Sequence, residues 1–102
     1  MHYKYGTIPQ SQIHSEKERL KKSVFILLPY RENGYEFLDQ YFDALLFRIN
    51  GLNEIFMNQA EIVTLMSLLE SARHEDDFKK YRKAILDATA LVDSIKEAEP
   101  DV

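Results

Sequence analysis

Residues 35–50 read Tyr-Glu-Phe-Leu-Asp-Gln-Tyr-Phe-Asp-Ala-Leu-Leu-Phe-Arg-Ile-Asn and are followed at once by Gly51. Tyr35, Leu38, Phe42, Leu45 and Ile49 recur at alternating steps of three and four, the repeat of one helix face. Phe37, Tyr41, Ala44 and Leu46 widen that face beyond half of the circumference. A helix this apolar has to be covered on several sides, so the spacing predicts the central member of an all-α bundle. Gly51 reads as its C-cap, because glycine enters the left-handed conformation that ends helices.

Downstream, a helical pattern resumes over residues 52–74. Ile55, Ile62, Leu65, Leu69 and Ala72 mark its face, with Phe56, Val63 and Met66 beside it and Asn53 or Asn58 as start signals. His74-Glu-Asp-Asp77 is a polar turn, and Asp76 or Asp77 is placed to cap the last helix. There Phe78, Tyr81, Ile85, Ala88, Val92 and Ile95 form a seam of the coiled-coil or antiparallel-bundle kind, which Glu99-Pro100 brings to an end.

Upstream, Ser15-Glu-Lys-Glu18 has the form of a capping box, so a helix is expected from Ser15. Leu20, Val24 and Leu27 share one face, and Phe25-Ile26-Leu27-Leu28 is apolar all round. Residues 23–28 suit either a helix end plunged into the core or a buried strand; a strand would find a partner only in residues 2–8, and helix is the reading adopted. Pro29 ends or kinks this element, and Asn33-Gly34 marks a turn. Residues 1–10 read as an extended arm whose Tyr3, Tyr5 and Ile8 need a groove to bury in. The expected fold is a small antiparallel helical bundle of three long helices plus a shorter N-terminal one. Residues 1–14 form the arm, 15–98 a single domain and 99–102 a tail; short turns imply antiparallel neighbours.

A chain of 102 residues fits one domain with a single core. It has no cysteine, hence no disulfide framework and no thiolate metal site. Residues 1–6 lack the apolar core of a signal peptide, and the longest apolar run, residues 24–28, is far below the roughly 20 residues of a membrane span. The expectation is a soluble, cytoplasmic protein. Net charge is −4, but residues 1–34 carry six Lys/Arg against three Asp/Glu, and residues 35–77 two against nine. Such asymmetry marks either a binding surface or faces that pair with one another inside the fold.

Catalytic patterns are thin. His2, His14 and His74 lack the Glu-x-x-His context of di-iron bundles, and Glu70 with His74 is only a usable ligand spacing in a polar turn. Glu36, Asp39 and Asp43 line one side of the central helix, as in helical magnesium-dependent nucleotide hydrolases, but the following helix offers no matching acidic pair. There is no Gly-x-Ser-x-Gly elbow and no phosphate loop. No enzyme, cofactor or metal is expected.

Three surfaces remain. Lys17, Arg19, Lys21, Lys22 and Lys79, Lys80, Arg82, Lys83 are basic clusters, although an acidic chain with pI near 5.3 is a poor general nucleic-acid binder. Glu36, Asp39, Asp43, Glu54 and Glu61 make an acidic surface. Phe47 and Leu68 interrupt the polar stripes of two neighbouring helices, and either the arm covers them or they form an apolar patch for a partner or a second copy. The function expected is a non-catalytic protein–protein interaction or assembly module that self-associates. The alternatives are an acidic inhibitor occupying the basic site of a nucleic-acid-handling protein, a nucleic-acid-binding accessory protein, and a bacteriocin-immunity-like helical bundle.

Overall fold

A computed structural model describes residues 2–3, 6–7, 10–55 and 60–95, with side chains placed for 13–53 and 60–95. Apart from a two-residue antiparallel pairing of His2–Tyr3 (β1) with Gly6–Thr7 (β2), the described chain is helical. α1 spans Gln10–Phe25, α2 Leu27–Glu32, α3 Leu38–Ile55, α4 Ala60–Arg73 and α5 Phe78–Ser94. Among the described residues, no helix is long and apolar enough to cross a membrane.

α1 starts at Gln10, five residues before the expected Ser15 cap. The reason is packing. Ile13, Leu20, Val24 and Leu27 are all buried, so the helix is held by a core face that begins ahead of the capping box, while Ser15 and Glu18 lie exposed within it. Tertiary burial, at about 1.5–3 kcal/mol per large side chain, outweighs a local cap worth about 1 kcal/mol. At 16 residues α1 is longer than the 14-residue α4, so the N-terminal helix is not the short one.

Residues 23–28 are helical, and Pro29 interrupts rather than ends them. Proline has no N–H for the carbonyl four residues back, here that of Phe25. The Ser23 carbonyl is also drawn aside, accepting from the Tyr41 hydroxyl at 2.8 Å. The ladder therefore breaks at Ile26 and resumes at once, with Ile26 N–H donating to Lys22 (3.1 Å) and Tyr30 N–H to Ile26 (3.1 Å). α1 and α2 thus act as one interrupted rod, and the described residues form four rods.

α2 stops in a Schellman arrangement. Gly34 takes φ +69°, its N–H donates to Arg31 at 3.1 Å, and Tyr35 N–H reaches back to Tyr30 at 2.8 Å. The accompanying apolar contact is Tyr30 against Tyr35, with ring centroids 4.5 Å apart.

Gly51, expected to stop the central helix, lies inside α3. Leu52 is buried on the core side, and that burial exceeds the roughly 1 kcal/mol a mid-helix glycine costs. Asn53 is consequently interior to α3 and caps nothing; Asn58, the other candidate, lies outside the described residues. Asp77 does cap α5, accepting from Lys79 N–H at 2.9 Å.

The axis of the molecule is α5, not the stretch 35–50. α5 packs against both α1 and α4, and α3 packs chiefly on α4. Tyr81, Ile85, Ala88, Val92 and Ile95 are buried along it. Among the described side chains of α3 only Phe42, Leu45, Ile49 and Leu52 are fully inside, whereas Ala44, and Phe37 in the turn before it, both counted as part of a covered surface, are exposed. Nothing in the described chain lies outside α3 to cover them.

Candidate interaction surfaces

The outward side of α3 is built by its spacing. With Phe42, Leu45, Ile49 and Leu52 fixed inward, Gln40, Ala44, Phe47 and Gly51, at steps of four, three and four, are turned outward, and all four are exposed. Phe47 is 83% exposed, more than any other large apolar residue described. None of these residues is charged. The adjoining charges are engaged: Asp43 by Arg73 at 2.6 Å, and Arg48 by Glu16 at 3.5 Å and Ser23 Oγ at 3.2 Å. On neighbouring α4, Val63, Thr64, Ser67 and Ser71 are exposed and uncharged, while exposed Glu70 carries a charge beside Arg73 and His74.

Leu68, expected beside Phe47, is placed otherwise. It is half-buried and packs against the core, and Val63, at 51% exposure, is the outward apolar residue of α4. Val63 was legible only as a flank of the buried seam. The other apolar candidates, Tyr5 and Ile8, lie outside the described residues, as does the side chain of Tyr3.

The acidic surface is partly neutralised within the fold. Arg73, whose side chain is only 13% exposed, donates from Nε to Asp39 at 2.8 Å and from one terminal nitrogen to Asp43 at 2.6 Å. The same nitrogen reaches the Asp39 carbonyl at 3.1 Å. This guanidinium holds the Asp39 carboxyl below the ordinary carboxylate range, and the two aspartates push the Arg73 pKa up. Glu36 is exposed in the turn before α3, Glu61 lies half-exposed in the first turn of α4, and the Glu54 side chain is outside the described residues.

The basic clusters are drawn into local pairs as well. Arg19 meets Glu16 at 3.1 Å, Lys21 meets Asp93 at 3.0 Å, and Lys17 donates to the Asp93 carbonyl at 3.3 Å. Hydrogen bonding from Asp93 raises the pKa of Lys21. In the second cluster Lys83 pairs with Asp87 at 3.0 Å, while Lys79, Lys80 and Arg82 project from the exposed start of α5.

His74 sits 3.1 Å from Glu70, one turn back on α4. Among the described residues, no group of three or more His, Asp or Glu is arranged to hold a metal ion. No protein-family model, no curated protein and no solved structure matches this chain.

Proposed function

We propose that the protein is a non-catalytic assembly module that self-associates through the outer side of α3. The observation that carries this reading is Phe47, a large apolar side chain almost fully in solvent and opposite the core. Interface centres are depleted of charge and enriched in aromatic residues; the outward set Gln40, Ala44, Phe47 and Gly51 carries no charge and one aromatic ring, in a chain that is 29% charged. A second copy is the partner that best suits a neutral face. In a two-fold contact each residue meets its own symmetry mate or a neighbour of it, so a charged patch would repel itself and an uncharged one does not. Ala44 and Gly51 flank Phe47 on that side, leaving room for the partner's phenylalanine to seat between small residues.

The underlying architecture is an antiparallel bundle. Lys21 in the second half of α1 meets Asp93 near the end of α5, while the Tyr81 hydroxyl near the start of α5 donates to the Leu27 carbonyl of α2 at 2.7 Å. Those two contacts at opposite ends support opposed directions for the two rods. The absence of cysteine suits a reducing compartment, and we place the assembly in the cytoplasm. Sedimentation velocity over a dilution series tests the reading: the mass should rise with concentration toward a dimer, and a monomer at every concentration contradicts it.

A further inference from the structure

A second feature lies away from the α3 face. A cleft of about 560 Å³ opens where α1 and α2 meet α5, within the range of small-molecule sites. Phe25, Ile26 and Pro29 form its apolar wall, and Glu18, Lys21, Lys22 and Thr89 complete a lining that is apolar almost throughout. Phe25 is 49% exposed there, a large ring that the fold leaves uncovered.

The polar residues of the lining are engaged, with one exception. Thr89 donates its hydroxyl proton to the Ile85 carbonyl at 2.8 Å. Lys21 meets Asp93 at 3.0 Å, so its contribution to the cleft is its hydrocarbon stem. Asp93, and Glu18 in lesser degree, raise the pKa of Lys21, which sets both carboxylates against that one ammonium. Lys22 is different. It is exposed, and among the described residues no carboxylate lies within ion-pair distance of it, although Glu18 stands one turn back. An ammonium without a counter-charge thus belongs to the lining of an apolar cleft.

We infer that the cleft binds a free single-chain amphipathic anion of the medium-chain fatty-acid class, with its carboxylate on the Lys22 ammonium and its alkyl chain against Phe25, Ile26 and Pro29. The wall supplies affinity by removing hydrocarbon from water, and it does not discriminate among head groups. Lys22 supplies the sign. A charge-assisted bond from its ammonium favours a carboxylate over an uncharged head, and like charge repels a cationic one.

Three probes of equal tail test this at neutral pH: octanoate, octanol and octylammonium, each titrated into the intact chain while backbone amide shifts are followed by NMR. Saturable shifts should centre on Lys22, Ile26 and Thr89. Octanoate should bind about two- to fivefold more tightly than octanol, the worth of one exposed charge pair, and octylammonium should bind most weakly. Lys22→Gln should remove the preference for octanoate while octanol binds as before. Lys80→Gln, the same loss of charge at the exposed start of α5, should leave that preference intact. Phe25→Ser should weaken all three probes together, with circular dichroism verifying that each variant stays folded. The order of the three probes in the unaltered chain needs no variant. An order led by octylammonium, equal affinities in the unaltered chain, a preference that survives Lys22→Gln, or shifts centred elsewhere would each overturn the inference.

Discussion

The guanidinium carbon of Arg31 lies 4.4 Å from the centroid of the Tyr81 ring, tying the end of α2 to the start of α5. The same guanidinium donates to two successive backbone carbonyls of the α4–α5 connection, those of Glu75 and Asp76, the latter at 2.7 Å. One side chain thus fixes three elements. Lysine keeps the charge but lacks the planar fork that spans two carbonyls. Arg31→Lys is therefore expected to cost about 1–3 kcal/mol in urea unfolding. A loss within experimental error of zero would show that the contact is incidental.

Tyr81 provides a pH readout of the same junction. Burial pushes its phenol from the ordinary 10 up to about 12, with the Arg31 charge opposing in part. The folded state favours the protonated phenol, so this contribution to stability is whole below pH 10 and fades as pH rises toward about 12. Alkaline titration of tyrosinate absorbance should show a late component that Tyr81→Phe removes. If the late component persists in that variant, the assignment to Tyr81 is wrong.

Gly34 and Gly51 should respond oppositely to alanine. Gly34 is held at φ +69°, where a Cβ is strained, and Gly34→Ala should destabilise by about 1 kcal/mol. Gly51 is helical with nothing within 4 Å of an added Cβ, and Gly51→Ala should stabilise by about 0.5–1 kcal/mol in the monomer. Thermal unfolding of both variants at low concentration separates the cases. Equal signs would refute the placement of one glycine in a turn and the other in a helix.

Asp39 is favoured in its charged form by Arg73, so it binds fewer protons folded than unfolded. Its stabilising contribution is present above the ordinary carboxylate pKa and is lost as pH falls through the lower folded value. Arg73→Gln should flatten the stability profile below about pH 4. An unchanged acid limb would mean that the Arg73 pairs add nothing in solution.

Much of this fold is readable from periodicity. The buried seam from Tyr81 to Ile95 and the Asp77 cap follow from spacing and local chemistry, because each depends on neighbours within one or two turns; Phe78, counted at the head of that seam, is exposed. What local signals misplace is where elements begin, end and face. Ser15 and Gly51 are genuine start and stop signals that distant burial of Ile13 and Leu52 overrides. Leu68 and Val63 exchange roles because the core side of α4 is set by how it meets both α3 and α5, which no single helix records. The pairing of Arg73 with Asp39 and Asp43 joins residues 34 and 30 positions apart, beyond any motif. Pro29 was legible as a break; that the helix resumes at once as α2 was not, since Leu27 and Leu28 are held by burial in the core.

Phe47 and Leu68 now predict different outcomes for the same substitution. Leu68→Asp places a carboxylate against the core and should unfold the chain or cost several kcal/mol, whereas Phe47→Asp should leave helicity and monomer stability within about 0.5 kcal/mol. Circular dichroism melts of dilute samples decide it. Comparable stability losses would mean that Phe47 is covered in solution.

The most direct measurement is sedimentation equilibrium of the unaltered chain beside Phe47→Asp at matched high concentration. Self-association through α3 predicts a dimer for the first and a folded monomer for the second. A dimer of undiminished strength in Phe47→Asp, or a monomer in both, would contradict it.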